Sequence, residues 1–163
     1  MSLKDAFAPE DWARVVGAPM LAGIAVTAAD PGGLWGAVKE SAAVAGAIGK
    51  AKSAGGSNAL IDEIVAAYQT AEGRDLARGV LRAEAKGKAP AAIADSAVTE
   101  LGAVAALVTA KAPEAAAGFK AWLAEIAGKV AEAGTEGGFL GFGGEKVSAA
   151  EKATLDRIAT ALA

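Results

Sequence analysis

The chain has neither cysteine nor histidine. That excludes a Ser-His-Asp triad, a thiol nucleophile, a zinc finger, haem or iron–sulfur ligation and any disulfide. Carboxylates, lysines, arginines and the backbone are left to carry chemistry. Aromatic residues make up only 5% of the chain, with three Trp, four Phe and a single Tyr. Large apolar side chains are therefore few, and each matters to the core. Basic charge is not in excess, since 16 Lys and Arg stand against 19 Asp and Glu for a net charge of -3. Nonspecific nucleic-acid binding needs a broad basic surface to displace counterions, so it is excluded as a function class. The longest uncharged apolar run lies between Arg14 and Asp30. It is shorter than the ~20 residues of a spanning helix and is interrupted by Pro19. The opening Met1-Ser2-Leu3-Lys4-Asp5 carries no apolar signal segment. The expectation is a cytoplasmic protein with no transmembrane segment, which suits a cysteine-free chain.

What the chain has in abundance is small residues, 46 Ala and 21 Gly among 163. Close helix packing and a GC-rich genome explain this equally well. The length predicts one domain over 1–163. Period 3.6 dominates the apolar pattern, and no long alternating stretch appears. Pro9 opens a short first helix, with Phe7 and Trp12 spaced as a hydrophobic staple. A second helix is predicted from Pro19 to Ala29, carrying Met20, Leu21, Ile24 and Ala28 on one side. Asp30-Pro31-Gly32-Gly33 stops it. A third turns Leu34, Trp35, Val38, Ala42, Ala45 and Ile48 inward. Ser53–Asn58 is a linker, with Asn58 or Ser57 as N-cap of a helix bearing Leu60, Ile61, Ile64, Val65 and Tyr68. Gly73 breaks or kinks that helix ahead of Leu76, Val80 and Leu81. Pro90 and Pro113 each stand at the start of a further helix. The stripe Phe119, Trp122, Leu123, Ile126 and Val130 is the strongest in the chain. Ser148-Ala149-Ala150-Glu151 is a capping box before a last helix with Leu155, Ile158 and Leu162. The predicted fold class is all-α, an irregular bundle of seven or eight helices. Segments 28–41 and 134–148 echo one another (an acid, a glycine pair, bulky apolar residues, a glycine, then a helix), so a pseudo-two-fold arrangement is a further expectation.

Three groups of residues are candidates for a site. The loop Gly137–Gly144 contains five glycines and exposes the backbone to positive φ. It lacks the GxxxxGK[ST] spacing of a phosphate loop. Its Phe139, Leu140 and Phe142 are either plugs into the bundle or apolar anchors for a protein partner. Arg74, Arg78 and Arg82 recur at i, i+4 and i+8, three of the five arginines on one helical face. Like charges at that spacing repel. Salt bridges to Glu72, Asp75 and Glu84 would offset the repulsion, or the face binds an anion such as phosphate or an acidic partner. The acids Asp30, Glu136, Glu145 and Glu151 lie near glycine turns and are caps or, as an oxygen-only set, ligands for Ca²⁺ or Mg²⁺.

Two stretches carry a resemblance. Val147-Ser148-Ala149-Ala150-Glu151-Lys152-Ala153-Thr154-Leu155-Asp156-Arg157-Ile158-Ala159-Thr160-Ala161-Leu162 resembles the helix after the glycine-acid turn of tellurite-resistance TerB-like domains. Ala25-Val26-Thr27-Ala28-Ala29-Asp30-Pro31-Gly32 resembles their other turn, with Pro31 where that family has glycine. The resemblance implies a pseudo-symmetric helical fold and a divalent-cation site on Asp30, Glu136 and Glu145, in a stress-response setting. The chain as a whole looks like a group of bacterial helical proteins, which implies the fold and no activity.

The leading expectation is a non-enzymatic, soluble helical interaction or regulatory protein that works through its glycine-aromatic loop and needs no cofactor. The alternative is a TerB-like Ca²⁺- or Mg²⁺-binding protein. No pair of carboxylates stands out at catalytic spacing to support an enzyme. The pattern leaves the oligomeric state open.

Overall fold

The computed structural model describes residues 2–29, 36–55, 58–135 and 147–163, with the backbone alone described for 36–41 and 135. After a 3-10 turn over Leu3–Ala6 come seven α-helices: α1 Pro9–Thr27, α2 Gly36–Ala54, α3 Ala59–Tyr68, α4 Ala71–Ala85, α5 Pro90–Lys111, α6 Pro113–Thr135 and α7 Ala149–Leu162. No strand occurs among the described residues, so the all-α class stands. The paired segments behind the internal echo fall largely outside the described residues.

Helix α1 is the axis of the bundle. It packs on α2, α4, α5 and α6 and touches α3 and α7. Val15, Val16, Ala18, Leu21, Ala22, Ala25 and Val26 are all fully buried, so it has no polar face over this stretch. This corrects the expected division at Pro19, because one helix runs from Pro9 through Pro19 to Thr27. An internal proline removes one backbone bond and costs ~3 kcal/mol. Burial of Val15, Val16, Leu21 and Val26 in the flanking turns offsets that cost, at about 1.5–3 kcal/mol for each large apolar side chain. Helix α5 is the only described helix long and apolar enough to cross a membrane. Its Ala97, Leu101, Val104, Ala105 and Val108 are core residues of the bundle.

Local signals hold at most helix starts. Pro9 is the first residue of α1, and Phe7 meets Trp12 with ring centroids 6.1 Å apart, both buried. Asn58 caps α3 by accepting from the Leu60 and Ile61 amides, and its amide donates to the Ala115 carbonyl at 2.9 Å, tying α3 to α6. The break before α4 falls at Gln69–Thr70 rather than at Gly73, because the Thr70 hydroxyl caps the new helix through the Gly73 amide. Both halves of the Ser148–Glu151 capping box are present. In α6 the whole stripe Phe119, Trp122, Leu123, Ile126 and Val130 is buried. Helix α2 departs from expectation, with Val44, Ala47 and Ile48 inward and Ala42 and Ala45 exposed. Ile93 of α5 and Leu155 of α7, large apolar residues that the helical spacing would turn inward, are only half-buried.

A guanidinium–carboxylate fork fixes α1 to α5. Arg14 Nε lies 2.5 Å from Glu100 Oε1, and its Nη2 lies 3.2 Å from Oε2. That hydrogen bond to Glu100 raises the Arg14 pKa above its ordinary value.

Candidate functional site

Helices α2 and α4 both pack on α1 but make no extensive contact with each other. Between them lies a cleft of about 270 Å³. Its floor is Met20, Gly23, Ile24 and Thr27 of α1, one wall is Val44, Ala45 and Ile48 of α2, and the other is Leu81, Arg78 and Arg74 of α4, with Tyr68 at the α3 end.

Two glycines of α1 explain where the cleft opens. A Cβ on Gly17 would stand 2.8 Å from Val80 Cβ of α4, and one on Gly23 would stand 2.8 Å from Val44 Cγ2 of α2. Both approaches are too close for any side chain, so these are the two lines along which the neighbours settle on α1. Residues of an α-helix advance by about 100°. Gly17 and Gly23 therefore lie about 120° apart around the helix, and Met20, Ile24 and Thr27 all fall inside that sector. The floor of the cleft is the strip of α1 between its two contact lines.

The floor and walls are apolar, apart from a few polar groups. The Tyr68 hydroxyl donates to the Val16 carbonyl at 2.9 Å, one residue beyond the Val15 carbonyl that Pro19 cannot serve. Burial pushes the Tyr68 hydroxyl pKa well above its ordinary value. The Thr27 hydroxyl donates back to the Gly23 carbonyl at 3.1 Å. At the mouth, Arg74 donates to the Tyr68 carbonyl at 2.9 Å, and Arg78 lies 3.2 Å from Asp75. Both arginines are exposed, and each guanidinium has five N–H donors, most of which take no partner among the described residues.

Two of the three arginines expected to form one face thus reach the cleft. Arg82 is exposed on the same helix but does not line it. The expected salt-bridged face is realised for Arg78 alone: among the described ion pairs Glu84 takes Lys88 rather than an arginine. Glu84 also binds Ser96, whose hydroxyl lies 2.7 Å from the Lys88 ammonium. This trio sits across the α4–α5 junction, and its ammonium is occupied by the carboxylate. Asp30, Glu136 and Glu145, expected as metal ligands, and Phe139, Leu140 and Phe142, expected as partner anchors, lie outside the described residues. Glu151 is a cap. Among the described residues no group of three or more acids is placed to hold a metal ion.

Met20, Ile24, Tyr68 and Leu81, which the periodicity places among the apolar residues of their helices, line the cleft, a role the sequence does not single out. The signal that could have found them is the Gly17–Gly23 pair bracketing Met20. A second depression, between α5 and α7, is lined by Val98, Thr99, Gly102, Asp156, Arg157, Thr160 and Ala161. Its arginine is already neutralised, since Arg157 lies 2.8 Å from Asp95. The first cleft combines apolar walls with an arginine, Arg74, that has no carboxylate partner among the described ion pairs.

No protein-family model, no curated protein and no solved structure matches this chain.

Proposed function

We propose that this chain is a non-enzymatic, cytoplasmic binding protein of regulatory type that takes a ligand in the cleft between α2 and α4. The observation that carries this reading is the cleft itself, preformed, apolar and rimmed by Arg74 and Arg78. Ligand sites are concave and mostly apolar, with a few placed polar groups that orient the guest. The interaction role expected from the sequence is kept; the glycine-aromatic loop expected to carry it lies outside the described residues, and the site proposed here is the cleft. Ala45 provides the test, because it lines the cleft and is exposed. Ala45→Trp fills the space without entering the core. Thermal melting across a panel of neutral, cationic and anionic amphiphiles and polar metabolites should show wild type stabilised by at least one compound and Ala45→Trp by none. Equal shifts for both proteins, or no shift with any compound, would overturn the reading.

A further inference from the structure

We infer that the ligand is a single-chain anionic amphiphile, a medium- to long-chain carboxylate being the simplest example. The inference rests on the cleft reading and adds the chemical class. The floor and walls offer alkyl surface from Met20, Ile24, Val44, Ile48 and Leu81. Such surface accepts a hydrocarbon chain and gives no reason for a polar body. The mouth carries two guanidiniums one helical turn apart, on Arg74 and Arg78. A guanidinium is always charged and matches a carboxylate with paired N–H groups. Among the described residues neither arginine is fully engaged. One terminal nitrogen of the Arg74 guanidinium, Nη1, donates to the Tyr68 carbonyl, which fixes the group at the rim without neutralising it and leaves Nη2 and Nε for a guest. Arg78 shares its charge with Asp75, and both side chains are more than half exposed. Their mutual repulsion at i, i+4 is relieved by an anion bound between them. An apolar slot that ends at Arg74, which has no carboxylate partner among the described residues, beside an Arg78 shared with Asp75, is complementary to an amphiphile of opposite sign. A neutral guest forgoes the charge, and a cationic one is repelled.

The chain reports its own occupancy, since it contains two methionines, Met1 and Met20, and Met20 is on the cleft floor. In full-length protein carrying ¹³C-methyl methionine, the Met20 methyl resonance is followed during titration below micelle formation. The probes are octanoate, decanoate, dodecanoate, dodecanol, dodecyltrimethylammonium and acetate. The expected result is a saturable Met20 shift with the carboxylates, tightening about two- to fourfold per added methylene until the cleft is full. Acetate leaves Met20 unmoved, and dodecanol binds about tenfold or more weakly than dodecanoate. Arg74→Gln and Arg78→Gln each weaken dodecanoate several-fold, while Arg82→Gln, on the same helix outside the cleft, leaves it unchanged. Dodecanol or the ammonium binding as tightly as dodecanoate, or Arg82→Gln weakening it as much as the other two, would overturn the anion class and leave the cleft reading standing. No Met20 shift with any of the six probes would overturn the class as well. Equal Met20 shifts in wild type and Ala45→Trp would remove the cleft reading with it.

Discussion

Single atoms set the shape of the site. The absence of a Cβ at Gly23 lets α2 come within contact of α1 beside the floor. Gly23→Ala forces Val44 and its helix outward, and overpacking of this kind costs about 1–3 kcal/mol. A fall of several degrees in melting temperature is expected. Gly73 is stricter still, because a Cβ there would lie 2.2 Å from the Ala67 carbonyl oxygen, which is backbone and has no rotamer to change. Gly73→Ala is expected to destabilise more than Gly23→Ala in the same denaturant titration, and the reverse order would contradict the packing described. Tyr68 yields a prediction in pH. Its folded pKa is raised by burial, so the unfolded chain ionises first as pH rises. The stability that the neutral hydroxyl contributes is present below the unfolded value of about 10 and is lost above it. Tyr68 is the only tyrosine, so phenolate absorbance in alkaline titration reports it alone. While the helical circular dichroism persists, that absorbance should rise only at a pH above the ordinary tyrosine value. A phenolate signal appearing near the ordinary tyrosine value with the helices intact would contradict its burial.

The elements differ in how openly the sequence declares them. Caps and prolines act within one turn, so Pro9, Asn58, Pro90, Pro113 and the Ser148–Glu151 box were readable from spacing alone. Asn58→Ala removes a cap and a bond to the Ala115 carbonyl, and a loss of about 2 kcal/mol is expected, against about 1 kcal/mol for Ser148→Ala. Equal, negligible effects in chemical denaturation would show that neither cap holds its helix. Faces were harder to read than ends. In α2 the alanines at 42, 43, 45 and 47 supply apolar residues to every side, so the stripe does not distinguish Ala45, which is exposed, from Ala47, which is buried. In α1 the proline argues for a break, yet burial of the turns on either side of it outweighs that. A residue such as Met20 or Ile24 looks equally apolar whether a neighbour covers it or leaves it as the floor of a cleft. Only the positions of α2 and α4 decide that, and they depend on contacts distant in sequence.

At the scale of the molecule, the bundle is α1 surrounded by partners, with one strip between Gly17 and Gly23 that no described residue covers. The fork between Arg14 and Glu100 holds the opposite side, joining α1 to α5. Both side chains are partly exposed, so solvent screens the pair and its coupling energy in a double-mutant cycle should be about 1 kcal/mol or less. The all-α class and the arginine spacing were legible in the sequence, while the union of Arg74 and Arg78 with an apolar cleft was not, because it requires α3 and α4 to fold back over α1. The most direct measurement of that arrangement needs no ligand. Met20 and Ala45 are 25 positions apart in sequence and line one cleft. In Ala45→Trp an indole that fills the cleft comes beside Met20, and its ring current is expected to move that ¹³C-methyl resonance from its wild-type position while helical circular dichroism is unchanged. A Met20 resonance that stays in place in a folded Ala45→Trp protein would contradict the account.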